Sequence, residues 1–204
     1  MTKISKRQNI TLVIRQLSKA NLSVFGILDY SRVMKLSYRT AQRSVNRYLK
    51  MGILERLSKN LFCLKDKPIN QFLIANRLYM PSYISFDTAL SYYHIIPETI
   101  YNISSATSRK TRELTTSDLI FNYHTIKKNA FCGYRAVKYL DETVLIAEPE
   151  KALADYFYFV ALKKYRIAYE RIDLRKIDRK KLRYYAKLFG NKTLNQLIDK
   201  LYAQ

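Results

Sequence analysis

Residues 37–64, SYRTAQRSVNRYLKMGILERLSKNLFCL, constrain the fold more than any other stretch of the chain. Ala41, Val45, Tyr48 and Leu49 recur at i, i+4, i+7 and i+8, the spacing of one buried stripe on an α-helix. Arg39, Arg43 and Arg47 then share the solvated face. Ser37 can cap the first turn through its hydroxyl, and Gly52 suits the left-handed residue beyond the last turn, so the pattern predicts a helix over residues 38–51. Residues 53–57 and 61–64 are short apolar runs separated by Ser58, Lys59 and Asn60, which predicts a hairpin with Lys59 at its tip. A basic helix followed by such a hairpin is the way a winged helix reads DNA. A lone arginine stripe is more often an ordinary solvated helix face, so the flanking sequence has to decide.

Upstream, Ile10, Val13, Ile14 and Leu17 predict a helix over residues 6–20 that ends near Asn21. Ile27, Leu28, Val33, Met34 and Leu36 predict a second, shorter helix just before Ser37. Three helices and a hairpin make a complete winged helix-turn-helix domain over residues 1–66, whose third helix is sized for a major groove. Charge points the same way. Residues 1–65 hold 14 Lys and Arg against Asp29 and Glu55, a net +12 within a chain of +21. Such a field attracts phosphate polyanions through counterion release without selecting a base sequence. Within the interface, the expected DNA-binding residues are Ser37, Tyr38, Arg39, Thr40, Arg43, Ser44, Arg47 and Lys59.

Other classes fare poorly. No run of 18 apolar residues exists and the N-terminus MTKISKRQNI lacks an apolar signal region, so a soluble cytoplasmic protein without a membrane partner is expected. Cys63 and Cys132 form no metal-ligand pattern and read as small apolar fillers. His94 and His124 stand apart from any zinc-type ligand set and read as structural. With only four glycines there is no phosphate-cradling loop, and no paired-carboxylate or nucleophile motif appears, so neither an enzyme nor a cofactor is expected.

Charged residues and Pro68 interrupt the apolar pattern over residues 65–70, which marks a linker to a second domain at 71–204. There, Phe72, Ile74, Ala75, Leu78 and Tyr79 predict a helix stopping before Pro81. Ser85 is the expected cap of a helix carrying Ala89, Leu90 and Tyr93 and ended by Pro97. The period then changes to two, predicting strands at 100–106, 111–115, 119–126, 131–137 and 143–146 in a mainly antiparallel sheet. Pro149 opens a helix whose Ala152, Leu153, Tyr156 and Phe157 are expected to face the sheet. Asp178 caps a helix that Gly190 stops, and Thr193 with Gln196 reads as the capping box of the last one. The fold class is therefore α+β, a winged helix followed by a sheet with flanking helices.

Three segments, YISFDTALSYYHIIPETIYNISSATSRKTRE at 83–113, FCGYR at 131–135 and VLIAEPEKALADYFY at 144–158, resemble the AbiEi-type antitoxins, regulators of phage-defence (abortive infection) toxin–antitoxin operons. The likeness extends over nearly the whole chain. His94 stands where such sequences often carry Gly, and Ser117-Asp118 replaces a turn that often includes Gly. The resemblance implies a winged helix that binds double-stranded operator DNA, at inverted repeats if two copies bind, and represses its own operon. It further implies a C-terminal domain that neutralises a nucleotidyltransferase-like toxin without a stable complex. Arg109, Lys110, Arg112, Glu150 and Lys151 are the candidate functional surface of that domain. For Glu150 and Lys151 a structural role competes, since Glu150 suits a helix N-terminus and Lys151 forms an i, i+4 pair with Asp155. Two alternatives stay open. Residues 163–192, with 12 Lys and Arg against three carboxylates, fit an RNA-binding module that acts through the toxin's RNA substrate. A generic winged-helix regulator without antitoxin activity fits as well.

Overall fold

The computed structural model describes residues 3–65, 67–116, 119–165 and 172–202, and within them the chain divides into two compact units, 1–78 and 79–204. Both mix helices with sheet, and the fold class is α+β. In the first unit, α1 (Lys3–Lys19), β1 (Val24–Phe25), α2 (Ile27–Met34) and α3 (Tyr38–Lys50) precede a hairpin of β2 (Leu54–Ser58) and β3 (Leu61–Leu64). The two-residue β1, too short to leave a period in the sequence, pairs with β3 and completes an antiparallel sheet of order β1-β3-β2. Val13, Leu17, Phe25, Tyr30, Ala41, Val45, Tyr48 and Phe62 form its core.

The boundary falls later than the linker predicted at 65–70. Helix α4 (Gln71–Leu78) belongs to the first unit, because the Arg77 guanidinium bonds Asp29 Oδ2 at 2.8 Å and reaches the Val24 carbonyl. Asp29 in turn accepts from the Gly26 N–H, so one carboxylate holds the start of α2 and the end of α4. Nothing in the 65–70 composition encodes that long-range pair.

The second unit holds β4 (Ser82–Ile84), α5 (Phe86–Tyr92), β5 (Ile103–Thr107), β6 (Arg112–Thr115), β7 (Ile120–Thr125), β8 (Tyr134–Tyr139) and β9 (Glu142–Ala147). Helices α6 (Pro149–Ala161), α7 (Arg179–Leu188) and α8 (Lys192–Leu201) follow. Its six strands run in the order β6-β7-β5-β4-β9-β8. The sheet is antiparallel in three of its five pairings, β6–β7, β4–β5 and β8–β9, while β5 pairs with β7 and β4 with β9 in parallel. The three-residue β4, which the sequence did not announce, sits centrally and joins the two halves.

Three local expectations are corrected. Helix α5 stops at Tyr92 well before Pro97, and His94 takes a left-handed φ of 53°, a conformation that non-glycine residues rarely adopt. Ser85 occupies the N-cap position, but its hydroxyl donates to Asp155 instead of accepting from the first turn. The last helix is capped by Asn191, whose side chain accepts from the Leu194 N–H, and not by Thr193. Asp178 does cap α7, and Gly190 follows that helix with φ 53°. The Ser117-Asp118 turn lies outside the described residues.

Candidate nucleic-acid interface

Helix α3 begins where Ser37 Oγ accepts from the Thr40 N–H at 3.3 Å, and the Ser37 and Thr40 hydroxyls share a 2.9 Å hydrogen bond. It ends at Met51, with Gly52 at φ 67° turning the chain into β2. Ahead of it, Lys35 adopts φ 52° and the Leu36 N–H returns to the Ser31 carbonyl, so a tight turn sets α2 against α3. Ala41, Val45 and Tyr48 are sealed beneath the helix, while Tyr38, Arg39, Thr40, Arg43 and Arg47 are exposed.

The exposed residues are not equivalent. At 3.6 residues per turn, the positions within about 60° of the direction opposite the buried stripe are Arg39, Arg43, Asn46, Arg47 and Lys50. Arg39 and Arg43 have no ion-pair partner among the described residues and stand free on this ridge. Arg47 is engaged by its neighbour, its guanidinium 5.0 Å from the Tyr48 ring centre and donating to the Tyr48 hydroxyl at 3.2 Å. Ser44 faces inward. Its hydroxyl shares a 3.1 Å hydrogen bond with Tyr30, a buried residue of α2 whose own proton is held more tightly because burial disfavours the phenolate. Ser44 therefore fixes the α2–α3 angle and does not lie on the presented face.

Lys59 and Asn60 are exposed at the β2–β3 turn, as the hairpin pattern predicted. Arg56 on β2 adds a cation, with its guanidinium 5.3 Å from the Phe62 ring centre. Asn46, Lys50 and Arg56 are missing from the residues first singled out, although rotating the buried stripe by half a turn finds the first two. Arginine and asparagine on one outward helix face are the side chains that hydrogen-bond guanine and adenine edges bidentately.

In the second unit the basic residues of the β5–β6 connection and the start of β6 do come together. The Arg109 guanidinium lies 4.5 Å from the Tyr79 ring centre and donates to the Met80 carbonyl, and Arg112 approaches the same ring at 5.9 Å. The Tyr79 hydroxyl donates to the Lys110 carbonyl, which fixes the backbone between them. All three basic side chains are exposed.

Glu150 and Lys151 do not belong to a surface, which corrects their place beside those arginines. Lys151 is fully buried and Glu150 nearly so. Lys151 Nζ pairs with Asp155 Oδ1 one turn along α6, and the ammonium lies 4.9 Å from the Phe189 ring centre and 5.7 Å from that of Tyr83. Asp155 Oδ2 accepts from Ser85 at 2.7 Å and Tyr83 at 3.1 Å. Burial raises the Asp155 carboxyl above the usual carboxylate range, against the opposing pull of Lys151. Glu150 Oε1 accepts the Asp178 N–H at 3.0 Å and so ties α6 to the start of α7.

The FCGYR segment closes this cluster. Tyr134 stacks on Tyr83 with ring centres 4.5 Å apart, and Phe131 packs on both. Gly133, at φ 71°, leaves room for Tyr185, whose ring would lie 2.5 Å from an added Cβ. The three segments quoted from the sequence thus meet in one cluster, in which Tyr83, Lys151 and Asp155 are buried, Phe131 and Gly133 are half-buried and Tyr134 is exposed at the edge.

The late basic stretch is partly neutralised where it is described. Lys181 approaches Glu148, Arg183 pairs with Asp199, and the Arg179 guanidinium lies 4.7 Å from the Tyr202 ring centre. Cys63 is buried, and Cys132 is half-buried; both are free thiols. Among the described residues no cluster of His, Cys, Asp and Glu is arranged to hold a metal, and no helix is long and apolar enough to cross a membrane. No protein-family model matches the chain, and no curated protein does either.

Proposed function

We propose that the first unit is a winged helix that lays α3 in the major groove of operator DNA, and that the chain represses its own toxin–antitoxin operon while acting as antitoxin to a nucleotidyltransferase-like toxin. The observation that carries the DNA reading is the ridge of Arg39, Arg43, Asn46 and Lys50 on α3, opposite a sealed apolar stripe. Lys59 and Arg56 on the adjacent hairpin are the natural phosphate or minor-groove contacts of that arrangement. Ser37 and Tyr38, at the N-terminal end of α3, border the same approach, with Thr40 along one flank and Arg47 on the outward face beside Arg43. Two copies on an inverted repeat place two such helices in successive major grooves. The antitoxin part rests on the sequence resemblance of 83–113, 131–135 and 144–158 alone, and Arg109, Lys110 and Arg112 are its exposed candidate contacts.

Operator binding should weaken steeply with salt, by a log–log slope of roughly −0.9 per neutralised phosphate. In cells carrying the toxin, Arg39→Ala with Lys50→Ala should relieve repression and still protect. Normal repression by that double variant would remove α3 from the interface. Failure of the unaltered chain to protect against any nucleotidyltransferase-like toxin encoded beside it would remove the antitoxin role and leave a regulator.

A further inference from the structure

The second unit contains a cavity of about 600 Å³ that neither the α3 ridge nor the Arg109 cluster uses. Its floor is laid by the parallel pair β5 and β7, whose register sets Ser104 beside Asn122, with His124 two residues further along. Asp87 enters from the first turn of α5. The wall carries Tyr156 and Tyr165, with ring centres 5.5 Å apart, and the Tyr165 hydroxyl shares a 2.9 Å hydrogen bond with His124 Nε2. Leu90, Ile96, Ile100 and Ile172 supply the apolar remainder, and exposed Lys164 stands at the rim. Volumes of about 300–1,000 Å³ with apolar and aromatic linings and a few convergent polar groups are those of small-ligand sites.

We infer that this cavity binds a nucleotide, with an amino-bearing base seated among the tyrosines and its phosphate at Lys164. Aromatic rings offer the faces on which bases stack, and the amides of Asn102 and Asn122 provide donors and acceptors together, which a base edge requires. Asp87 and Glu98 put carboxylates into the lining, which repel a bare anion from the interior and accept from an exocyclic amino group. Adenine, cytosine and guanine therefore fit better than uracil. The one lysine of the lining is at the mouth, where a phosphate stays in solvent. His124 is neutral at physiological pH, because burial lowers its proton affinity and Lys164 lowers it further, so it acts as a ring wall and not as a second cation. Two sources share this chemistry, a free nucleotide and an unpaired nucleotide in a strand. The inference uses none of the α3 residues and stands or falls apart from the DNA reading.

The test is calorimetric titration of the full-length chain with AMP, CMP and UMP. CMP should bind saturably at one site and about tenfold more tightly than UMP, and cytidine should bind more weakly than CMP. Asn122→Asp and Tyr156→Ala should each weaken CMP about tenfold, while Tyr156→Phe, which keeps the stacking face, should bind like the unaltered chain. Thermal melting of the same variants separates a lost contact from a lost fold. Competition by a short single-stranded oligonucleotide with a terminal cytidine, better than CMP, assigns the strand as source; poorer competition assigns the free nucleotide. Equal affinity for CMP, UMP and inorganic phosphate overturns the inference, as does CMP binding that is indifferent to both Asn122→Asp and Tyr156→Ala in folded protein.

Discussion

In the first unit the arginines of α3 reach solvent over a sealed stripe of Ala41, Val45 and Tyr48, whereas in the second the lysine and aspartate of α6 are the fully buried pair, ringed by Tyr83 and Phe189. The same residue types therefore carry opposite meanings. A cation on a helix with a clean apolar period has its place set by local geometry, and its role is open to partners. A cation at the start of PEKALAD has its place set by strands and helices far away in sequence, and its role is architectural. Motif likeness singled out the second kind of residue as readily as the first, and only burial separates them.

The strongest challenge to this contrast is to remove one member of the buried pair. Asp155→Ala leaves the Lys151 ammonium without its counter-charge and Ser85 and Tyr83 without their acceptor, and should destabilise the second unit by about 3–5 kcal/mol in denaturant unfolding. A loss under about 1 kcal/mol would mean that the pair is not buried in solution. Lys151→Met, of similar length and no charge, should recover part of that loss when combined with Asp155→Leu.

Gly133→Ala comes next. Its Cβ meets the Tyr185 ring in a backbone region that L-residues avoid, so about 2–3 kcal/mol should be lost by the same measurement, together with weakening of the Tyr185 hydrogen bond to Glu148. Tyr185→Ala costs a buried ring and the Glu148 hydrogen bond on its own, but in the same chain it should relieve the clash, so the two substitutions together should cost less than the sum of each alone.

A smaller effect is expected from acid. Burial first, and Lys164 second, lower the His124 pKa from its ordinary value near 6.5 to about 4. The unfolded chain then takes up a proton before the folded one does, so the His124 contribution is complete above about pH 6.5 and is lost as pH falls toward 4. Between pH 7 and pH 5 the loss should be about 1–2 kcal/mol, allowing for partial solvent access. His124→Gln should remove that part of the pH slope. An unchanged slope would place His124 in water and open the aromatic cluster of Phe86, Phe159 and Tyr165 to question.

Much of the first unit was legible because its elements are helices with strong periods and recognisable stops. Ser37, Gly52 and the turn at Lys59 act where they stand in the sequence. The inward hydrogen bond of Ser44 has no local signature, because its partner, Tyr30, lies on another helix. In the second unit, the strands from Ile103 to Ala147 were found by their period of two, but not their order. The parallel pairing of β4 with β9 depends on a three-residue strand that carries no pattern, and that of β5 with β7 skips over β6 in sequence. Ser85 shows the same limit at one residue: its position fits a helix cap, and a carboxylate 70 residues away takes the hydroxyl. The nucleotide-sized cavity had no linear signature, since its polar groups come from α5, β5, β7 and α6.

The measurement that bears most directly on the outward-facing α3 ridge is Arg43→Ala in the full chain, scored by operator affinity and thermal unfolding together. Arg43 is exposed, so stability should change by no more than about 0.5 kcal/mol, while specific binding should weaken by about 1–3 kcal/mol. Unaltered affinity for the operator, or a melting transition that falls in step with binding, would contradict the account.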